Sequence, residues 1–295
     1  MKSTAEDNKL AIFDRHRSRL FGIAYRMLGT PDEAEEIVQD AYIRWHTTNI
    51  STVENPEAWL VSTTTRLAID RLRKASRQRE TYVGPWLPEP LMISSSPSPQ
   101  EDAELASSLS TAFMVMLERL SPSERAVFLL HDVFDSSYSD IARIMEREEP
   151  AVRQMLHRAR QRVRTDKPRF ETDREEHRKL IERFAKAAYT SDEAELLELF
   201  SADISVISDG GGRVTAARKV VQGLQKVVRI FTIALAPSID RLTWKAVDIN
   251  GEPGVVEYYD GEPFAANTFE VENGKIIRFY RIMNPDKLKL LKNLT

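Results

Sequence analysis

Apolar residues recur at helical spacing along the first third of the chain. Leu20, Ile23, Ala24, Met27 and Leu28 form one stripe, and Gly29 ends it. Thr30-Pro31-Asp32-Glu33 reads as a helix start, with Thr at the N-cap, Pro in the first turn and Glu placed to close a capping box. The next helix carries Ala34, Ile37, Val38, Ala41, Tyr42 and Trp45 on one face. A Thr- and Asn-rich loop, Thr47 to Asn55, follows. Pro56 then opens a third helix through Trp59, Leu60, Leu67, Ile69 and Leu72, ending in the basic tail Arg71, Arg73, Lys74 and Arg77.

Residues 80–103 interrupt the periodicity. Pro85, Pro88, Pro90, Pro97 and Pro99 and the run Ser94-Ser95-Ser96 read as a linker. It also holds WLPEPL, with Trp86, Leu87 and Leu91, residues that a flexible spacer does not need, so this part is expected to dock on a surface. Helical periodicity resumes near Glu104. Ser121-Pro122-Ser123-Glu124 repeats the capping signal ahead of Ala126, Val127, Leu129, Leu130 and Val133. Ser137 to Asp140 caps a short helix bearing Ile141, Ala142, Ile144 and Met145. A tight polar turn, Glu146 to Glu149, leads through Pro150 to a basic helix over 151–164 that buries Val152, Leu156 and Val163. Together they make a helix-turn-helix.

From about Asp173 the pattern changes. Leu180, Ile181, Phe184 and Ala187 begin one helix, and Leu196, Leu197, Leu199 and Phe200 mark a second. Ile204-Ser205-Val206 alternates as a strand before the turn Asp209-Gly210-Gly211-Gly212-Arg213. A helix is expected from roughly Ala216 to Ala234. The rest reads as a meander, LTWKAVDI, VVEYY, AANTFEVE and KIIRFYRI, joined by Asn250-Gly251, Asp260-Gly261 and Asn273-Gly274 turns. Helices followed by antiparallel strands define an α+β domain.

Composition adds limits. At 295 residues the chain is long enough for two or three domains. No apolar run approaches the roughly 18 residues of a membrane span, and the N-terminal residues lack the apolar stretch of a secretory signal. With no cysteine, disulfides and Cys-based metal sites are excluded, and a cytoplasmic location is expected. No metal site and no cofactor are expected. The net charge of −3 conceals segregation. Residues 32–40 carry Asp32, Glu33, Glu35, Glu36 and Asp40 with no base, whereas 151–164 carry Arg153, Arg158, Arg160, Arg162 and Arg164 with no acid. Separate acidic and basic helices suggest two different partners. An α-helix fits the DNA major groove. Arg153 and Gln154, near the start of the basic helix, are candidates for base contacts, with His157, Arg158 and Arg160 on base or backbone.

These segments carry a family resemblance. DEAEEIVQDAYIRW (32–45), NPEAWL (55–60) and LAIDRLR (67–73) resemble region 2 of ECF sigma factors. LSPSERAVFLLHDVFDSSYSDIARIM and AVRQMLHRARQRVR resemble their region 4. The resemblance implies an RNA polymerase sigma factor that binds the polymerase core, its β and β′ subunits, and promoter DNA. Gln39, Asp40 and Arg44 would dock on the β′ coiled coil. The loop with Asn49, and the helix with Arg66, Arg71, Arg73, Lys74 and Arg77, would open and read the −10 element. The basic helix would read the −35 element. Arg66 stands where many members carry Asn, and the turn before the basic helix lacks the common Gly, two departures from the family pattern.

The C-terminal part resembles the SnoaL-like, NTF2-like cone fold. With WLPEPL, DGGGR (209–213) and NPDKL (284–288), it is similar to an ECF subgroup whose fused cone acts in cis. The implied fold class is multidomain: two all-α sigma domains, a region 2 helical bundle and a region 4 helix-turn-helix, followed by an α+β cone. The implied boundaries are 8–80 for region 2, 81–103 for the linker, 104–166 for region 4 and 173–295 for the cone. Trp86, Leu87, Pro88, Asp209, Gly210, Gly211, Gly212, Arg213, Asn284, Pro285 and Asp286 would carry the regulatory contacts, and a small-molecule ligand in the cone stays open.

Some cone folds are enzymes that use a buried Asp base, and Asp209, Tyr258, Tyr259 and Asp260 could be cast in such roles. Asp209 and Asp260 adjoin glycine and read as turn residues. No His follows His177, which excludes a His-based mechanism there. A non-catalytic, interacting domain is therefore expected. Phe231 and Trp244 read as core. Two rival readings are a helix-turn-helix regulator with a ligand-sensing cone and a DNA-binding module fused to an isomerase- or cyclase-like enzyme.

Overall fold

A computed structural model describes residues 2–92, 109–163, 174–234 and 240–294. The chain forms two compact units, Met1–Glu80 with Met116–Asp166, and Thr81–Val115 with Lys167–Thr295. The helical resumption expected near Glu104 and the cation Arg164 lie outside the described residues.

The first unit is all helix. Its first three helices are α1 (Lys2–Leu28), α2 (Pro31–Thr47) and α3 (Pro56–Arg79). The chain re-enters the unit at the end of α4 (Thr111–Leu117) and continues as α5 (Pro122–Asp132), α6 (Tyr138–Met145) and α7 (Glu149–Val163). Leu20, Ile23, Ala34, Ile37, Ala41, Trp45, Leu60 and Leu72 are buried, which follows the helical stripes of the sequence. Trp45 lies tilted at 5.4 Å from Trp59 and donates its Nε1 hydrogen to the Lys9 carbonyl at 3.0 Å.

The two expected capping boxes differ. At Ser121 the box forms: its Oγ accepts from the Glu124 amide, and the Glu124 carboxylate accepts from the Ser121 amide at 3.1 Å. At Thr30 it does not form. Its hydroxyl donates to the Glu33 carboxylate at 2.7 Å, and that helix start relies on Pro31 and on Asp32 and Glu33 near its positive end. The loop after α2 holds one 3-10 turn, Ile50–Thr52, capped by Asn49.

The second unit is α+β. α8 (Arg174–Thr190) and α9 (Glu193–Leu199) precede a six-stranded sheet. Its strands are β1 (Phe200–Asp209), β2 (Val221–Gln222), β3 (Leu242–Ile249), β4 (Glu252–Tyr259), β5 (Glu262–Glu272) and β6 (Lys275–Ile282). Their order is β2-β1-β6-β5-β4-β3, with β1 parallel to β6 and every other pair antiparallel. This is the topology of the expected cone. Asn250, Asp260 and Asn273 adopt positive φ at the three hairpins, as such turns require.

The helix expected over Ala216 to Ala234 is corrected. Val221 and Gln222 pair with Val206 and Ser205 as a short edge strand. Gly223, at φ 103°, then breaks the chain direction, and only α10 (Leu224–Arg229) and a π turn (Ile230–Ala234) are helical. The run Lys219 to Gln222 contains adjacent β-branched valines, which favour the extended form.

Each sheet face packs separately. One face meets α8 to α10 around Phe184, Phe200, Phe231, Phe269 and Phe279, whose rings lie edge-on or tilted at 4.9 to 5.9 Å. The other carries Val256, Tyr258, Ala266, Tyr280 and Ile282 against Leu87, Ala112, Leu288 and Leu291. The segment around Leu87 is thus part of this unit's core.

Candidate functional site

On α2, the polymerase-facing candidates Gln39, Asp40 and Arg44 are all exposed on one side of the helix. Between them stands Ile43, 60% exposed, a large apolar residue that the sequence reading did not single out. Its signal was its place one turn from Gln39 and Asp40, off the buried stripe of Ala41 and Trp45. The neighbouring acids are engaged: Glu35 pairs with Arg17 at 2.6 Å, and Glu36 with Arg71 at 2.8 Å.

The −10 candidates separate into two groups. Lys74 and Arg77 are exposed and form no ion pair among the described residues. Arg71 is held by Glu36 and Glu33, and those bonds raise its pKa. Arg73 pairs with Asp70 at 3.0 Å. Asn49 caps its own turn, accepting from the Ser51 amide at 3.2 Å and hydroxyl at 2.9 Å. Arg66 is committed elsewhere in the unit, with its Nε donating to the Ile144 carbonyl at 2.9 Å.

The basic helix α7 is similarly mixed. Gln154, His157 and Arg158 are exposed. Arg153 lies 4.1 Å from the centre of the Tyr138 ring and 3.3 Å from Glu149. Arg160 is oriented by Asp132, whose carboxylate accepts its Nε at 2.9 Å. Burial pushes the Asp132 carboxyl up, but Arg160 pulls it below the usual carboxylate range. Arg162 contacts Glu124.

The third cluster gathers the two C-terminal motifs, DGGGR and NPDKL, with the linker. Asp209, read from sequence as a turn residue, is instead the last residue of β1 and fully buried. Its carboxylate accepts from the Tyr82 hydroxyl at 2.5 Å, the Leu87 amide at 2.9 Å and the Lys287 ammonium at 2.7 Å. Its carbonyl accepts from the amides of Met283 and Asn284 at 2.7 and 2.9 Å. Lys287 also donates to the Leu87 carbonyl and lies 4.3 Å from the centre of the Trp86 ring. Burial, then the bond to Asp209, raises the Tyr82 pKa well above that of a free phenol.

The same motifs explain the glycine triplet. A Cβ on Gly211, at φ 58°, would stand 2.3 Å from the Asn284 amide nitrogen and 2.9 Å from the Tyr82 hydroxyl, so no side chain fits. Asn284 donates to Tyr82 at 2.9 Å, Pro285 opens the following 3-10 turn, and Asp286 pairs with Arg213 at 3.2 Å. Further along, the Leu91 amide donates to the Asn250 side-chain oxygen at 2.6 Å, and the Asn250 amide to the Leu91 carbonyl at 2.8 Å. Pro88 is buried beside Leu87. Residues 82–91 therefore form a strap tied to the sheet at both ends. Tyr82, Lys287 and Asn250 are functional candidates that the sequence reading missed, although each lies in or beside a motif already noted.

Two of the residues weighed as catalytic, Asp209 and Asp260, are engaged by cationic partners. Asp209 is saturated by donors. Asp260 sits in its hairpin turn at φ 51° and pairs with Arg241. Tyr258 belongs to the core on the strap side. Phe231 is core, and Trp244 packs against the same cluster, as expected. Beside the phenylalanine core, Phe184, Tyr189, Trp244 and Glu257 line a hollow of about 30 Å³, the room of one or two waters. Glu257 is paired with buried Arg281 at 2.6 Å. No helix among the described residues is long and apolar enough to cross a membrane.

Comparison with known proteins accords with this geometry. Residues 12–78 match the model for Sigma-70 region 2, and residues 110–163 that for Sigma-70, region 4. The chain is 34% identical over 289 residues to the ECF RNA polymerase sigma factor SigJ of Mycobacterium tuberculosis, covering 93% of this chain and 91% of that protein. It is 28% identical over 285 residues to the probable ECF RNA polymerase sigma factor SigI of the same organism, covering 96% and 95%. The crystal structure of SigJ aligns with a TM-score of 0.75 at 31% identity, covering 95% of this chain and 98% of that one.

Proposed function

Since this chain belongs to the ECF RNA polymerase sigma factors, a family of initiation factors and not of enzymes, we propose how its surfaces divide that work. The exposed face of α2, with Gln39, Asp40, Ile43 and Arg44, docks on the polymerase β′ subunit. The Asn49 loop and α3 meet the −10 element, with Lys74 and Arg77 on phosphates. α7 enters the major groove at the −35 element, with Arg153 and Gln154 toward base edges and His157, Arg158 and Arg160 further along. Arg160, aligned by Asp132, is a preset phosphate contact.

The C-terminal domain regulates these modules in cis through the strap. The observation that carries this reading is Asp209: a buried carboxylate shared by Tyr82, Leu87 and Lys287 makes the segment joining regions 2 and 4 part of the C-terminal core. Whatever loosens the strap changes how the two DNA-reading modules are tethered. Five phenylalanines packed in one core cluster on the helix-covered sheet face support docking through the opposite, strap-covered face.

Reconstituted transcription with core polymerase tests this. Lys287→Met, which leaves Asp209 without its cation, is expected to change transcript yield at a cognate promoter severalfold. Unchanged yield, with hydrogen exchange showing the strap released, defeats regulation in cis.

A further inference from the structure

Arg66 stands on α3, the helix proposed to meet the −10 element, yet it is bound to the helix-turn-helix. Its Nε donates to the Ile144 carbonyl at 2.9 Å and its Nη2 to the Arg143 carbonyl at 3.1 Å, while Nη1 pairs with Glu146 at 3.0 Å. These groups form the C-terminus of α6, where carbonyls are short of intrahelical donors, Arg143 keeping only a 3.4 Å bond from the Glu146 amide, and the helix dipole is negative. A residue of one DNA-reading module thus caps a helix of the other.

Other contacts of this seam are also polar, beside the Phe134 ring that packs on Arg19 and Arg26. Arg19 donates to the Phe134 carbonyl at 3.1 Å, and Arg125 to the Met27 carbonyl at 2.8 Å. Glu118 accepts from both Arg79 and Arg125, at 2.5 and 2.7 Å. Guanidinium, carbonyl and carboxylate groups regain water when such a seam parts, so separation costs less than exposing an apolar face of equal area.

The modules must part to act together. Elements named for positions about 25 base pairs apart lie on the order of 80 Å apart along B-DNA at ~3.4 Å per base pair. A compact unit of about 130 residues has a radius of gyration near ~14 Å, so it is roughly 40 Å across. The unit as folded cannot reach both elements at once.

We propose that Arg66 is a positioning residue that holds the helix-turn-helix against α3 in the free chain. This rests on the sigma-factor reading. One guanidinium cannot satisfy the α6 carbonyls and a DNA strand together. Its side chain is 45% exposed, so a competing partner can reach it.

The full-length chain, which has no native cysteine, can carry single dyes at Asp14→Cys and Gln161→Cys, both exposed positions on the separate modules. Single-molecule energy transfer then reads the module separation without DNA, and titration with core polymerase reads its affinity. Arg66→Ala is expected to raise the long-distance population and tighten core binding, each by roughly tenfold, because the closed state no longer competes. Glu146→Gln keeps both carbonyl bonds and is expected to shift the distance less. Wild-type distance distribution and core affinity in Arg66→Ala would overturn the proposal, as would equal shifts in the two variants. A wild-type chain that does not bind core polymerase would defeat the sigma-factor reading, while the distance shift would still decide whether Arg66 holds the modules together.

Discussion

Glu118 in the helical unit and Asp209 in the C-terminal unit are both carboxylates at the centre of a network, but their surroundings differ. Glu118 is bridged by Arg79 and Arg125. Burial pushes its carboxyl up, and Arg125 and Arg79 pull it below the usual carboxylate range. Asp209 is fully buried, with one cation, one phenol and one backbone amide as donors. The first network carries more cation than anion and gains hydration when it opens. The second is closed by one cation, two neutral donors and apolar side chains, so opening it exposes Leu87 as well as a charge. One is a seam that parts, the other an anchor that holds.

The largest effect is expected at the anchor. Lys287→Met leaves a buried carboxylate without its cation and should cost about 3–5 kcal/mol, measured as a lower denaturation midpoint of the C-terminal transition. Leu87→Ala removes a fully buried side chain and should cost about 3 kcal/mol in the same measurement. An equal loss from Arg125→Met in the helical transition would erase the distinction between seam and anchor, because Arg79 remains there to pair Glu118. On the DNA side, Arg153→Ala should weaken promoter binding by about 1–3 kcal/mol and relax base preference at one position. Arg160→Ala should lower the salt slope by about 1 without changing preference, read by fluorescence anisotropy across a salt series.

Acid and alkali separate the two networks. Glu118 has a depressed pKa when folded, so its stabilising contribution is present above the ordinary carboxylate value and is lost as pH falls through the folded one. The helical seam should therefore open on acidification, and Glu118→Gln should blunt the change in module separation. Tyr82 has a raised pKa. Its contribution is complete below the ordinary phenol value of 10.0 and is lost as pH rises beyond it. The strap should loosen in alkali, and Tyr82→Phe should reduce that sensitivity in hydrogen exchange at Leu87.

Much of the helical unit is legible in sequence, because amphipathic stripes and proline starts are local signals. The hairpins are legible for the same reason: Asn-Gly and Asp-Gly announce themselves. What escapes is set by tertiary partners. Asp209 beside three glycines looks like a turn, and only the strap, more than a hundred residues earlier in the chain, makes it a strand end with a buried carboxylate. Lys287 looks like a surface lysine until Asp209 and Trp86 enclose it. The β2 edge strand hides within a helix-like run because its pairing with β1 is non-local. Arg66 is visible as a departure from the family pattern, but its α6 partners lie some eighty residues on. The grouping of residues 81–115 with the C-terminal unit also means that truncation after about residue 170 would strip the strap of its sheet, so point variants are the cleaner probes.

As an ECF sigma factor, this chain programs core polymerase to start at particular promoters. Reconstituted transcription with purified core polymerase on a promoter library tests it most directly. A stable complex is expected, with transcripts from a defined set of start sites that share −10 and −35 elements. A chain that neither binds the core enzyme nor directs it to any start site contradicts it.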